Sequence, residues 1–361
     1  MKYTGGGAEF GIAGTPGKVQ VVMCSRSRSV RLNASCGVWL LILGLLLLPA
    51  CQGSPSVSPP AETVRVALPS PPLSALFDIA LAKGYFLEDG LAVTTQSFEA
   101  GKLALQAMLD GKADLAISAD TPLMIAIASG QPISIVAQVA TVRNNVTIVA
   151  RKDRGISGPA NLAGKTIGTT FGTAASYFLD SILSLHGIDH TQVTLKNINA
   201  SEMGVALAAG TVDAVAAWDP WSMQLQKEWG DRGIAFTDDI FSSVLACLSG
   251  QTAYLADHPK TIVQFLQGLI RAEALVKQDP EESQRLEVDF TRQAPEFVAE
   301  TWPTLDLHVS LDQALLVGLE DQTRWAQADQ IISGTAIPNY LDSIYFAGLD
   351  AARPESITII R

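Results

Sequence analysis

The sequence predicts an α/β protein of two similarly built lobes, each a mostly parallel sheet flanked by helices. Two observations carry this. From residue 64 onward, short apolar runs alternate with segments whose apolar residues recur at helical spacing. That is the pattern of strand–helix units whose sheets are covered on both faces. The second observation is an internal repeat. Gly111-Lys112-Ala113-Asp114 and Gly210-Thr211-Val212-Asp213 each lead into an apolar run, and Asp120 and Asp219 follow at the same offset of 99 residues. In each copy a glycine stops a helix, a short buried strand follows, and an aspartate opens the next helix.

The elements follow in order. Val64-Arg65-Val66-Ala67-Leu68 reads as a strand, and Leu73, Leu76, Phe77, Ala80, Leu81 and Gly84 then fall at helical spacing. Residues 91–98 form a strand, 101–110 a helix stopped by Gly111, 114–118 a strand, 121–129 a helix and 133–139 a strand. The same grammar resumes with strands at 145–151 and 166–170. Thr173 can cap a helix whose apolar face carries Phe178, Ile182 and Leu185, with Gly187 as its stop. Further strands are expected at 194–199, 214–218 and 234–237, and from His258 the chain reads as mostly helical, including 261–278, 280–291 and 310–327.

The N-terminal region reads differently. Arg26, Arg28 and Arg31 precede an apolar run at 37–48, and Leu48-Pro49-Ala50-Cys51 closes it, the layout of an export signal. Its twelve residues fall short of the roughly 20 that a membrane-spanning helix needs. The closing motif resembles a bacterial lipobox, which would make Cys51 the lipidated first residue of the mature chain. Residues 1–22 are Gly-rich without amphipathic period, and Met23 is expected to be the true start. Residues 51–63, with Pro55, Pro59 and Pro60 among serines, read as an extended tether.

A mature chain from Cys51 would keep 311 residues, enough for one large domain or two lobes. Removing the five positive and one negative charges of residues 1–50 takes the net charge from −11 to −15. That acidity argues against nucleic acid, whose binding relies on Lys and Arg at the phosphates. Cys247 would be the one cysteine of the mature body besides Cys51, so no disulfide framework is expected. It sits in an apolar run and reads as a buried, inert thiol. His186 and His190 are separated by Gly187 and are not expected to bind metal as a pair.

Ligands in α/β sheets bind beyond the carboxyl ends of strands, where helix N-termini present N–H groups. Three segments qualify: Ser118-Ala119-Asp120-Thr121-Pro122, Phe171-Gly172-Thr173-Ala174-Ala175-Ser176, and Trp218-Asp219-Pro220-Trp221. The candidate ligand-binding residues are therefore Asp120, Thr121, Phe171, Gly172, Thr173, Trp218, Asp219 and Trp221, with Ser70 beyond the first strand. Asp120, Thr173 and Asp219 can equally serve as helix caps, and the tryptophans as core. Enzyme motifs are missing. Gly164-Lys165-Thr166 lacks the first glycine of a P-loop and a helix after it, and Gly168-Thr169-Thr170-Phe171-Gly172 has no nearby base.

Several segments resemble one family. Ala82-Lys83-Gly84-Tyr85-Phe86-Leu87-Glu88-Asp89-Gly90-Leu91-Ala92-Val93 resembles the opening of nitrate/sulfonate/taurine-type substrate-binding proteins of ABC importers. Asn161-Leu162-Ala163-Gly164-Lys165-Thr166-Ile167-Gly168 is similar to their lead into the second lobe, with Asn161 for the usual aspartate. Gly210 to Trp221 resembles their turn and aromatic-acid-proline loop, and Pro338 to Ile359 the ending of some members. The resemblance implies a two-lobed periplasmic-binding-protein fold of type II. Residues 64–143 with 244–361 would form lobe 1 and 144–243 lobe 2, joined by two hinge crossings. It also implies a small-molecule ligand, a permease with its ATPase as partner, an extracytoplasmic location anchored by lipid at Cys51, no cofactor, no catalysis and a monomer. A small amino-sulfonate is favoured over bare nitrate, because Asp120 and Asp219 would repel a naked anion while the N-termini at Thr121 and Thr173 favour an anionic group. The alternatives are a pyrimidine or other aromatic heterocycle stacked on Trp218 or Trp221, a lipoprotein sensor, or an enzyme on the same fold.

Overall fold

The computed structural model describes residues 62–361 except Asp239 and Ile240. The leader, Cys51 and the tether up to Ala61 lie outside the described residues. The first lobe opens with β1 (Glu62–Leu68), α1 (Ala75–Ala82), α2 (Tyr85–Glu88), β2 (Leu91–Ser97), α3 (Gly101–Leu109), β3 (Leu115–Ala119), α4 (Asp120–Ala128) and β4 (Ile133–Val142). The second is β5 (Val146–Arg151), β6 (Thr166–Thr169), α5 (Ala174–Leu185), β7 (Thr194–Asn197), α6 (Met203–Ala208), β8 (Ala214–Trp218), α7 (Trp221–Trp229) and β9 (Gly233–Phe236). The chain then returns through β10 (Val244–Gln251), α8 (Thr252–Asp257), α9 (Pro259–Gln278), α10 (Pro280–Thr291), α11 (Pro295–Thr301), β11 (Leu305–Ser310), α12 (Gln313–Ala328) and α13 (Phe346–Ala352). None of these helices is long and apolar enough to cross a membrane.

The strands form two sheets, ordered β11-β4-β10-β3-β1-β2 and β7-β6-β8-β5-β9. Each contains one strand donated across the junction. β10 runs antiparallel to β3 and β4, and β5 runs antiparallel to β8 and β9. Without β11, the two orders match strand for strand, which is the internal repeat expressed as topology. The repeated aspartates do identical work. Asp114 Oδ2 accepts from Arg65 N at 2.8 Å while its own N–H donates to Arg65 O. Asp213 Oδ2 accepts from Thr166 N at 2.9 Å while its N–H donates to Thr166 O. Each carboxylate thus clamps equivalent strands, β1 to β3 and β6 to β8, just before β3 or β8 begins. Gly111 and Gly210 turn the preceding helix with φ of +74° and +70°, the left-handed region that suits glycine.

The Gly84-Tyr85-Phe86 segment has a packing reason. Gly84 takes φ +75° to start α2, which drives Phe86 between Phe77 and Phe265 at centroid distances of 5.3 and 4.6 Å. A Cβ at Gly268 of α9 would lie 2.7 Å from the Phe86 ring, so glycine there lets α9 close over it. All three rings are fully buried, and each contributes about 1.5–3 kcal/mol by leaving water. Arg271 of α9 completes the lock by donating to Tyr85 O at 2.6 Å.

Three details depart from the sequence reading. β10 and β11 are strands that it did not single out, and β11 interrupts a region expected to be helical, so α12 starts at Gln313 and not at 310. Both add to β4 as antiparallel partners, so tertiary pairing decides their state. Leu185, expected on the buried face of α5, is 60 % exposed because the helix ends there, before the Gly187 turn. Cys247, by contrast, is fully buried as expected, in β10, and burial pushes its thiol well above the ordinary range.

Candidate functional site

The carboxyl ends of β1, β3 and β8 face one another across a narrow cleft between the two sheets' lobes. It is lined by Pro69, Ser70 and Leu73 after β1, Gly101 and Lys102 opening α3, Pro122 in the first turn of α4, and, from the other side, Asn145, Thr173 and Trp218. Its open space is only about 30 Å³, room for about two waters. That space is too small for a ligand of several heavy atoms.

Among the described residues, Lys102 is the one charged residue lining the cleft, and the sequence reading did not single it out. Its Nζ donates at 2.8 Å to Phe171 O in the β6–α5 loop, spanning the cleft. Two glycines make the approach possible. A Cβ at Gly101 would stand 3.0 Å from Ser118 Cα, so glycine brings the start of α3 onto the end of β3. Gly172 has φ +72°, and a Cβ there would meet Lys102 Nζ at 3.1 Å. Partial burial pulls the Lys102 ammonium below its ordinary value, although the side chain as a whole stays exposed.

Asn145 is the second residue that the sequence reading passed over. It stands where the chain first crosses between lobes, and its backbone joins both crossings, donating to Ser242 O and accepting from Asp219 N, each at 3.1 Å. The side chain is 1 % exposed and its Nδ2 has no partner. An unpaired buried amide donor costs about 1–3 kcal/mol, so its presence in the cleft points to an acceptor that a ligand brings.

The expected residues divide into groups. Ser70, Thr173 and Trp218 line the cleft itself. Phe171 and Gly172 line an adjoining space of about 370 Å³ that shares Lys102 and Pro122 with it. At the start of α5, Ser176 Oγ accepts from the N–H groups of Gly172 and Thr173, and Thr173 Oγ1 donates to Thr170 O at 2.7 Å. The following N–H groups, of Ala174 and Ala175, are first-turn donors without an intrahelical acceptor.

Asp120, Thr121, Asp219 and Trp221 are not among the cleft-lining residues. Asp120 Oδ2 accepts from Gln322 Nε2 of α12 at 2.7 Å. Asp219 Oδ1 accepts from Ser222 Oγ within the first turn of α7. Burial pushes both carboxyls up to about 6 against these hydrogen bonds. Thr121 is fully buried with an unpartnered Oγ1, and Trp221 lies half-buried behind β8 with an unpartnered Nε1.

Two mixed sheets of matching strand order with a cleft at their strand ends define a two-lobed, periplasmic-binding-protein-type α/β protein. The chain belongs to the family described as NMT1/THI5 like, whose match spans residues 73–283. It is 27 % identical over 141 residues to the taurine-binding periplasmic protein of Escherichia coli, covering 39 % of this chain and 43 % of that one. The chain thus spans less than half the length of that relative. A Haemophilus influenzae protein named for thiamine biosynthesis is 28 % identical over 216 residues, 52 % of this chain and 67 % of its own. Among solved structures, the alkanesulfonate-binding protein of Xanthomonas axonopodis pv. citri bound to MOPS superposes with a TM-score of 0.68 at 20 % identity, covering 79 % of this chain and 99 % of that one. Likeness at that identity speaks to the fold.

Proposed function

We propose that the protein is an extracytoplasmic substrate-binding component of an ABC importer that captures a small organic sulfonate between its lobes. The observation that carries this is the pairing of Lys102 Nζ with the unpartnered Asn145 Nδ2 in one apolar cleft. A sulfonate offers three oxygens for exactly such donors, and the first N–H groups of α3 and α5 add the positive ends of two helix dipoles. Trp218 and Leu73 suit the organic remainder. The taurine-binding relative supports the same ligand class. The lobes are residues 64–143 with 244–361 and residues 144–243, hinged at the two crossings. Cys51 carries the lipid that holds the receptor near its permease, which raises its effective concentration there.

A second reading is an aromatic heterocycle stacked on Trp218, favoured by that ring's place in the cleft and by the thiamine-named relative. A panel of taurine, alkanesulfonates, nitrate and pyrimidines separates the two. A true ligand raises the unfolding temperature, by a stabilisation of about 2.7 kcal/mol at a hundredfold excess over Kd, and changes the radius of gyration in small-angle scattering. A response to pyrimidines alone would replace the sulfonate reading with the second one.

A further inference from the structure

Away from the cleft, α5 of the second lobe meets α12, which packs on α4 of the first. Tyr177 OH donates to Asp321 Oδ2 at 3.2 Å, and the Tyr177 and Trp325 rings meet edge to face at 5.1 Å. At the end of this seam Asp180, His190 and Asp329 converge, with one ligand atom from each lying within 4.8 Å of the other two. The geometry points to a binding site for a divalent transition-metal ion of the zinc type, built from Asp180 Oδ1, His190 Nε2 and Asp329 and tying α5 to the end of α12.

The distances suit such an ion. His190 Nε2 lies 3.6 Å from Asp180 Oδ1 and 3.6 Å from Asp329 Oδ1. Nitrogen and oxygen ligands at ~2.0–2.1 Å from a tetrahedral ion stand roughly 3.4 Å apart. The orphaned atoms point the same way. The Asp180 side chain is only 8 % exposed, yet its Oδ1 has no hydrogen-bond partner, and Asp329 Oδ2 is likewise buried and unpartnered. The orphaned Asp180 Oδ1 and the Asp329 carboxylate, which meets the imidazole through Oδ1, together call for a shared cation, and an imidazole with carboxylates favours zinc-like ions over magnesium or calcium.

The supporting shell is present as well. Trp325 Nε1 donates to Asp180 Oδ2 at 3.1 Å, which turns Oδ1 toward the site. Asp189 accepts from Thr191 N and Oγ1 at 2.8 and 2.7 Å and fixes the short turn that carries His190. The imidazole is 43 % exposed on an open groove, which gives an ion a path in and leaves room for water as a fourth ligand.

The test is calorimetric titration of zinc into the purified full chain, stripped with chelator and with accessible thiols alkylated. The site predicts saturable binding that both His190→Gln and Asp329→Asn weaken at least tenfold. Zinc should also raise the unfolding temperature of the parent protein and leave that of each variant unchanged. His190→Gln alters an exposed side chain, so it keeps the test valid if the partly buried Asp329 variant fails to fold. Absence of saturable binding, or equal affinity in the His190→Gln variant, would overturn the proposal and leave a proton shared between the two carboxylates as the occupant.

Discussion

Lys102 Nζ bridges the cleft to Phe171 O at 2.8 Å, joining the start of α3 in one lobe to the β6–α5 loop of the other. This contact spans the cleft and places an ammonium at its lining. Lys102→Met removes the donor and keeps most of the stem. The ligand-free protein should then populate a more open form, seen as a larger radius of gyration by small-angle scattering. An unchanged scattering curve would show that the bridge plays no part in closure.

Asn145 sets stability against binding. Its Nδ2 is buried without a partner in the ligand-free cleft, so replacing the amide with an apolar side chain of similar size removes a cost of about 1–3 kcal/mol. Asn145→Leu should therefore unfold at a temperature equal to or above that of the parent. It should also bind ligand about two- to tenfold more weakly, since one neutral hydrogen bond contributes about 0.5–1.5 kcal/mol. Loss of both stability and binding would indicate a structural role alone.

Asp219 discriminates between a plain sulfonate and an amino-sulfonate. Its carboxylate engages Ser222 inside α7 and does not line the cleft. Asparagine keeps an amide oxygen that can accept from Ser222 Oγ, so Asp219→Asn should shift stability by no more than about 0.5 kcal/mol. With the carboxylate turned inward, affinity for a plain alkanesulfonate should stay the same. A tenfold loss confined to ammonium-bearing ligands in calorimetry would mean that the carboxylate swings to the ligand's cationic end.

The pH dependence of stability follows from buried acids. Burial pushes Asp78 of α1 up to about 7, and Glu287 of α10, facing it, is raised well above its ordinary value by burial and by Asp78. Both folded values lie above the unfolded ones of about 3.9 and 4.3, so the fold retains protons that the unfolded chain has released. Their stabilising contribution is complete below about pH 4 and is lost as pH rises through about 7. Glu287→Gln should raise the unfolding temperature at pH 8 relative to the parent and flatten its decline between pH 5 and 8. Parallel pH profiles for the two proteins would contradict this.

Much of the architecture was legible because local and long-range signals agreed. Gly111 and Gly210 need left-handed backbone, Asp114 and Asp213 clamp equivalent strands, and the runs between them are too short and apolar for anything but buried strands. β11 was not legible, since its Leu-Asp-Leu-His-Val-Ser alternation lies among long helices and becomes a strand only by pairing with β4. At the site, strand ends and helix starts led to Ser70, Thr173 and Trp218. They could not show that Asp120 and Asp219 turn inward to Gln322 and Ser222, serving neither as the expected caps, since Ala119 and Pro220 hold the cap positions, nor as cleft-lining residues. Lys102 and Asn145 carried no motif. Their importance comes from what faces them across the cleft, although a lysine directly after a helix-opening glycine was a signal that could have drawn notice.

The central claim is that the cleft holds an anion on Lys102. Calorimetric titration of the best-binding sulfonate into the parent protein and Lys102→Gln tests it most directly. A charge-assisted hydrogen bond contributes about 1.5–3 kcal/mol, so the variant should bind about 10- to 100-fold more weakly. Equal affinity in the two proteins, or saturable binding of pyrimidines with none of any sulfonate, would contradict the account.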